Sequence, residues 1–409
     1  MQYNPEKNDE SEKNSVTECI NSVHLSNSNT IGSNIFDDLP GYPLVPPINL
    51  STAHGFSDLN ELKSYHLDKY NKVRYSRDSS ALVLQLERYF QKLFGTNHAL
   101  IFNSGMSAIS AALTPSIRLH SNIHTIGNFY RKSLSMISLF EENLNINHFN
   151  HSSIDNLIKN TLDSKFNIIL IESPSNPFLK INDISKIKKY LPNCLLIYDV
   201  SLQGLLNGEG LYKYADFIVS SCTKYIGGHN DFLGGVLLTT KDELFQKSWS
   251  YRSTFGGILD NNSAYLLFRS LRTYDLRITN AIENCNKVLE FLEKSKNVTK
   301  IFYPGKYQNS AESDLFNQYF KHGGTVVTFE IDDINLINNN LMLLQSSKMA
   351  PSFGSVDTLF EVPALMSHFN KTDKELQKIG LNKKTIRISI GNEPLKYILN
   401  DLRILLGKK

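Results

Sequence analysis

Leu82, Leu86, Phe90 and Leu93 recur at helical spacing, and Gly95 follows them as a C-terminal cap, so this stretch predicts a helix with one buried face. The period then changes. Ala99 to Phe102 is a short apolar run that predicts a strand, Asn103-Ser104-Gly105-Met106 is a turn of small residues, and Ser107 to Leu113 favours helix. Further strands are predicted at Asn167 to Ile171, Leu195 to Asp199, Phe217 to Ser220 and Val236 to Thr239. The segments between them are long enough for crossover connections. This alternation predicts an α/β fold with a mostly parallel central sheet covered by helices, and chemistry at the carboxyl ends of its strands. From Ser263 to Lys296 the pattern is helical; Thr325 to Ile331 and Ile386 to Ile390 then predict strands, and Pro394 to Leu406 a final helix. These elements read as a smaller C-terminal α+β domain beginning near residue 280.

The expected organisation is a flexible N-terminal segment (1–40), an arm and helix (41–95), a large α/β domain (96–280) and the C-terminal domain (281–409). Gly41 to Gly55 carries Pro43, Pro46 and Pro47 and predicts extended chain. Met1 to Ser33 is polar and rich in Asn, Ser and Glu, with no apolar core of a signal peptide, and reads as disordered.

Composition narrows the function. Among 409 residues, 41% are hydrophobic and 20% charged, as in an ordinary globular protein, and a net charge of +3 gives no footprint for nucleic acid. Cys19, Cys194, Cys222 and Cys285 lie too far apart for a metal or redox motif and read as reduced thiols. No apolar run approaches the roughly 20 residues that a membrane span needs. A cytoplasmic enzyme is expected.

The candidate chemistry centres on Ser221-Cys222-Thr223-Lys224-Tyr225, which runs on into Gly227-Gly228 and Gly234-Gly235. A lysine behind two hydroxyl side chains suits a phosphorylated aldehyde: the amine forms a Schiff base and the hydroxyls bond the phosphate. Asp199 ends the apolar run Cys194 to Tyr198, where a carboxylate can pair with a protonated pyridine nitrogen. Ser104-Gly105-Met106, between a strand and a helix, offers a phosphate cup of unpaired helical N–H groups. Together these features predict pyridoxal 5′-phosphate as cofactor. Arg387 alternates with Ile386 and Ile388 along a strand, so it projects into a cleft while they face a core, and its planar fork suits a carboxylate. His120 with His124, and His148 with His151, have metal-like spacing but no carboxylate or thiol beside them, and no metal is expected. Tyr225 reads as packing beneath the lysine loop and Trp249 as buried structure.

With those residues placed, the chain resembles the Cys/Met-metabolism pyridoxal-phosphate enzymes, the family of cystathionine γ-synthase, cystathionine γ-lyase and methionine γ-lyase. The resemblance runs from about residue 45 to the end. It implies the type I, aminotransferase-like fold of pyridoxal-phosphate enzymes. Tyr75-Ser76-Arg77 looks like the segment by which one subunit reaches the cofactor phosphate of its neighbour, which implies a dimer with shared sites and a tetramer of two such dimers. Ser104-Gly105-Met106 matches the phosphate-binding turn, with Ser221 and Thr223 beside it. Glu172-Ser173-Pro174-Ser175-Asn176-Pro177 is similar to the family string whose asparagine, here Asn176, bonds the cofactor's phenolic oxygen. Asp199 matches the pyridine-nitrogen partner and Lys224 the Schiff-base lysine. Arg387 matches the arginine that grips the substrate carboxylate, and Ser352-Phe353-Gly354 the loop that assists it. Tyr75 and Lys224 are the implied catalytic residues.

The chain also departs from the family pattern. Ile126-Gly127-Asn128-Phe129-Tyr130-Arg131 stands where a Tyr-Gly-Gly-Thr-like string places a tyrosine face-on against the cofactor. Ile126 can pack on the ring but offers neither a hydroxyl nor a π-face. Ser80-Ala81-Leu82 replaces Asn-Pro-Thr, Asp199-Val200-Ser201 replaces Asp-Asn-Thr, and Pro351 stands where some lyases carry a glutamate. A small amino-acid substrate with a γ leaving group of the activated-homoserine type is expected, in γ-replacement by a thiol or other nucleophile, or in γ-elimination. Lyase action on cystathionine, cysteine or methionine is the alternative. A homologue that binds cofactor without turnover is the alternative of another class, and it leaves the joint presence of Lys224, Asp199 and Arg387 unexplained.

Overall fold

In the computed structural model the described residues are 44–118, 120–161, 166–306 and 310–407. The polar N-terminal segment and Cys19 lie outside them. Two sheets organise the chain. The first has seven strands: β1 (His98–Phe102), β2 (Asn122–Ile126), β3 (Asn147–His151), β4 (Asn167–Glu172), β5 (Leu195–Asp199), β6 (Phe217–Ser221) and β7 (Gly235–Thr239). Their order is β1-β7-β6-β5-β4-β2-β3, and β7 alone runs against the others. The carboxyl ends of the six parallel strands therefore share one edge of the sheet, as the alternation of strands and helices predicts.

Two strands escape the sequence pattern. β2 (NIHTI) and β3 (NHFNH) are polar, so no apolar run announces them. Side chains satisfy one another across the strands instead: Asn122 Nδ2 bonds Asn167 Oδ1 at 3.4 Å, Asn147 Nδ2 bonds Asn122 Oδ1 at 3.3 Å, and His124 meets His151 at 2.9 Å. The fold thus makes a histidine pair that the sequence spacings do not suggest, since His148 bonds Thr125 Oγ1 instead.

The second sheet holds β8 (Val298–Phe302), β9 (Val326–Ile331), β10 (Lys348–Met349), β11 (Leu359–Glu361) and β12 (Thr385–Ser389), in the order β10-β11-β12-β9-β8. Ile386 and Ile388 face a core shared with Val288, Leu289 and Leu402 from the helices Tyr274–Glu293 and Leu395–Leu405. Arg387 takes the opposite face, alongside its register partners Glu361 and Thr328. That face meets the first sheet's loops, where Thr328 Oγ1 bonds Pro177 O at 2.5 Å.

The predicted helix near 82–93 runs from Ala81 to Phe94; Ser80 caps it through Oγ to Val83 N, and Gly95 closes it at φ +63°. Ala53 bridges Tyr75 in the arm, on either side of the helix Leu59–Leu67. Trp249 is half-buried rather than buried, edge-on to Tyr70 at 5.1 Å on the helix Asp242–Phe255. No helix among the described residues is long and apolar enough to cross a membrane.

Candidate active site

The helix Gly105–Leu113 begins at the carboxyl edge of the first sheet, two residues earlier than its sequence suggests. Ser104 caps it, Oγ accepting from Ser107 N at 3.1 Å. The amides of Gly105 and Met106 then have no intrahelical acceptor and point out of the first turn. Gly105 is required here by proximity: a Cβ on it would lie 3.0 Å from Ser221 Cβ. Ser104, Gly105, Met106 and Ser221 thus form one cradle of amides and hydroxyls. Thr223 borders it through its own hydroxyl, which accepts from Gly234 N at 2.9 Å.

Asp199 ends β5 beside this cradle. Its Oδ1 accepts from Ser201 N at 2.9 Å, while Ser201 Oγ accepts from Ser221 N at 2.8 Å. Ser201, seen in the sequence only as a departure from the family, therefore ties the carboxylate to the strand before the lysine. Burial raises the Asp199 carboxyl above its ordinary range, against the two Ser201 bonds that lower it. Among the described residues no cation pairs with it, so its carboxylate is open to a positively charged ligand nitrogen. Glu172, its register partner on β4, is buried as well. Burial and then the Asp199 charge push Glu172 well up, although it accepts from the Tyr130 backbone N–H.

The lysine stands in a single helical turn, Cys222–Ile226, that Lys224 itself interrupts at φ −84°, ψ −132°. Arg277 holds this turn from behind, donating to Tyr225 O and Ile226 O at 3.1 Å each. Gly228, at φ +73°, is needed because a Cβ there would collide with the Arg277 guanidinium. Tyr225 is buried beneath the turn, as its place in the sequence suggests, with its hydroxyl toward Thr325 Oγ1 at 3.4 Å.

The loop Ser352-Phe353-Gly354 closes over the lysine. Lys224 Nζ donates to Ser352 Oγ at 2.8 Å and lies 4.8 Å from the centre of the Phe353 ring. Arg387 donates through Nη2 to Ser352 O at 2.8 Å and through Nη1 to Asn176 Oδ1 at 3.1 Å. Its Nε has no hydrogen-bond partner although the side chain is buried. Burial, followed by the neighbouring Arg387 charge, lowers the Lys224 amine to about 8, with Glu361 acting in the opposite sense. An amine poised to become neutral near physiological pH thus faces a guanidinium with an unused donor.

These residues suit pyridoxal phosphate. The cradle, which a Cβ at Gly105 would crowd, offers amides and hydroxyls to a phosphate, Asp199 offers a buried carboxylate to a pyridine nitrogen, and Lys224 offers an amine to an aldehyde.

Ile126, at the end of β2, is 5% exposed and joins the apolar cluster with Ile169 and Ile171. Tyr130, four residues on, is half-exposed. Burial raises its phenol and Arg131 lowers it, while the charges of Glu172 and Asp199 raise it further. Tyr75 and Arg77 stand apart. Both are exposed; Arg77 Nε donates to Ser253 O at 3.0 Å, and its guanidinium lies 5.1 Å from the Tyr75 ring. None of the contacts described for them reaches Lys224, Asp199 or Arg387 within the chain. Glu361, which no sequence motif singled out, lies against Arg387 at 3.1 Å.

A family model described as Cys/Met metabolism PLP-dependent enzyme matches residues 37–406. Cystathionine gamma-synthase 1, chloroplastic, from Arabidopsis thaliana is 29% identical over 364 residues, 88% of this chain and 64% of that protein, so the chain spans less than two thirds of that relative. Cystathionine beta-lyase from Lactococcus lactis subsp. cremoris is 28% identical over 373 residues, 89% of this chain and 94% of that one. Among solved structures, cystathionine gamma synthase from Xanthomonas oryzae pv. oryzae in complex with cystathionine superposes with a TM-score of 0.84 at 23% identity, covering 96% of this chain and 98% of that chain.

Proposed function

The chain belongs to the Cys/Met-metabolism enzymes that depend on pyridoxal phosphate, and on that premise we propose that it catalyses γ-replacement or γ-elimination on an amino acid with an activated γ leaving group, such as an O-acylated or O-phosphorylated homoserine. The observation that carries the reading is Ser352, which receives Lys224 on its hydroxyl and Arg387 on its carbonyl. A base and a carboxylate anchor on one residue are the two groups that an α-amino acid needs for removal of its α-proton.

Bound pyridoxal phosphate supplies an electron sink conjugated to the substrate's α-carbon. Arg387, with the Nε donor free, holds the α-carboxylate, and Asn176 and the Ser352 carbonyl keep its plane fixed. Lys224, whose neutral form is accessible because its pKa is near 8, takes the α-proton and carries protons toward the β-carbon. With the cofactor bound, Asp199 would hold a positive charge on its pyridine nitrogen. Ser104, Gly105, Met106, Ser221 and Thr223 would hold its phosphate, and Tyr75 and Arg77 would complete the site of a neighbouring subunit in a homo-oligomer, a dimer or a tetramer of two dimers. Ile126 carries no proton, so a leaving group that departs without protonation fits this site better than a thiolate. Lyase action on cystathionine, cysteine or methionine is the second reading, supported by the likeness to a cystathionine beta-lyase.

Borohydride reduction of the holoprotein followed by peptide mapping tests the core of this assignment. The label is expected on Lys224, and a label on another lysine would overturn it. Assays of O-acylhomoserine and O-phosphohomoserine with cysteine, against cystathionine and methionine alone, then separate replacement from lysis.

A further inference from the structure

Tyr75 and Arg77 are exposed, yet the residue that follows them is not: Asp78 is buried and bonded at each of its polar atoms. Its N–H donates to Tyr75 O at 2.9 Å, which closes a tight turn over Tyr75-Ser76-Arg77-Asp78. Ser253, in the last turns of the helix Asp242–Phe255, donates its hydroxyl to Asp78 Oδ1, and Arg74 Nη2 lies 3.4 Å from Oδ2. Arg252 Nη2 donates to Asp78 O at 3.2 Å. The same Ser253 receives Arg77 Nε on its carbonyl at 3.0 Å. Arg77 and Asp78 thus grip one residue from two sides, and the Nη groups of Arg77 make no hydrogen bond among the described residues. Arg252 is itself fixed. It is 1% exposed, paired with buried Glu87, and donates to Ile101 O at 2.8 Å, in the strand that leads to the Ser104 cradle. The exposed turn is therefore tied to a helix end and to a central strand.

We propose that Asp78 is a positioning residue: held by Ser253 and Arg252, it presets the turn that carries Tyr75 and Arg77 for the cofactor phosphate in a second copy of the chain. This rests on the reading of Tyr75 and Arg77 as residues that complete a neighbour's site. The physical reason is preorganisation. A long cationic side chain that is ordered only on docking loses rotamer freedom at that moment, which weakens binding. An arginine already bonded through Nε presents its remaining donors in a fixed plane, a geometry that suits a phosphate. Asp78 holds the backbone from which that plane projects, so its loss falls on the opposite subunit's cofactor. The contact of Arg252 with the strand before the chain's own cradle gives a competing route, in which Asp78 acts on the site of its own chain.

The test combines cofactor affinity with subunit mixing in the full-length protein. Asp78→Ala should bind pyridoxal 5′-phosphate about tenfold more weakly in equilibrium dialysis, the scale of one hydrogen bond to a charged group. It should bind pyridoxal, which has no phosphate, as the wild type does. Asp78→Asn keeps an acceptor for Ser253 and should stay close to the wild type with both compounds. Equal weakening for both compounds in Asp78→Ala, or none for either, would overturn the proposal, because a merely structural aspartate does not distinguish them. Should Asp78→Ala fail to fold, Ser253→Ala removes the same bond from its other end and should show the same selective loss. In hybrids of differently tagged subunits, Asp78→Ala paired with Lys224→Ala should recover one site of wild-type affinity for pyridoxal 5′-phosphate per pair. Asp78→Ala paired with Arg77→Ala should recover none. The reverse pattern would assign Asp78 to its own chain's site and overturn the proposal. Arg77→Ala paired with Lys224→Ala is the control: no recovery there refutes the shared site and this proposal with it, while recovery there alone refutes only the role of Asp78.

Discussion

Ser352 accepts a hydrogen bond from Lys224 Nζ at 2.8 Å from a backbone at φ +115°, a conformation that favours glycine. The residue keeps a side chain there, and that side chain meets the amine. Ser352→Gly should therefore hold or raise stability, by up to about 1 kcal/mol, because the backbone is relieved. It should also slow turnover about tenfold as the amine loses its acceptor. Thermal melts and kcat measured on the same preparation check both; a slower enzyme that is also less stable would show that the hydroxyl matters to the fold alone.

Arg387→Lys replaces a planar fork bonded to Asn176 and Ser352 with a point charge. Loss of a buried charge-assisted pair of about 2–4 kcal/mol predicts KM for an amino-acid substrate raised roughly 30- to 1,000-fold, with a smaller change in kcat. Steady-state kinetics on the best homoserine ester decide it, and an unchanged KM would remove Arg387 from the carboxylate site.

Tyr75 and Arg77 are exposed and away from the lysine of their own chain, so their role is predicted to lie in a second copy. Mixing inactive Arg77→Ala and Lys224→Ala subunits should regain activity, since each hybrid dimer has one site carrying both changes and one site carrying neither. Parents that exchange subunits yet never complement would refute the shared site.

Ile126 is buried in an apolar cluster. Ile126→Tyr should leave turnover of an O-activated homoserine similar or lower while raising slow elimination from cystathionine or methionine, because general acid catalysis is typically worth about 10²–10⁴-fold. Wild-type protein that turns over methionine or cystathionine faster than any homoserine ester would reverse the preference for an activated leaving group.

His124, between His151 and Asn167, is lowered by burial from 6.5 to about 4, with the Asn167 bond opposing and His151 adding to the shift. Between those two values the unfolded chain binds a proton that the native chain does not. The fold therefore keeps its full stability above about pH 6.5 and loses it as pH falls toward 4. At pH 5 the loss from this group is about 2 kcal/mol, and half-buried His322, also lowered to about 4, adds to it. His124→Gln should flatten the fall of Tm between pH 7 and pH 5, which calorimetry at several pH values would read. An equal fall in the variant would assign the acid sensitivity elsewhere.

The sequence by itself determined the elements whose physical signature is local. Apolar runs marked β4, β5, β6 and β7, helical spacing marked Ala81–Phe94, and the ends of β5 and β6 marked Asp199 and Ser221, with Lys224 in the turn just after. Arg387 was legible for the same reason: alternation with Ile386 and Ile388 already assigns it to the opposite face of its strand. Tertiary structure decided what depends on pairing between distant residues. β2 and β3 have no apolar signature, because their asparagines and histidines meet partners 23 to 45 positions away in the chain once the strands lie side by side. Glu361 looks like any other acidic residue until the β11–β12 register sets it beside Arg387. The Ser352 contact with Lys224 spans 128 residues. A charge or a hydroxyl has no periodicity of its own; its meaning is set by the partner that the fold brings to it.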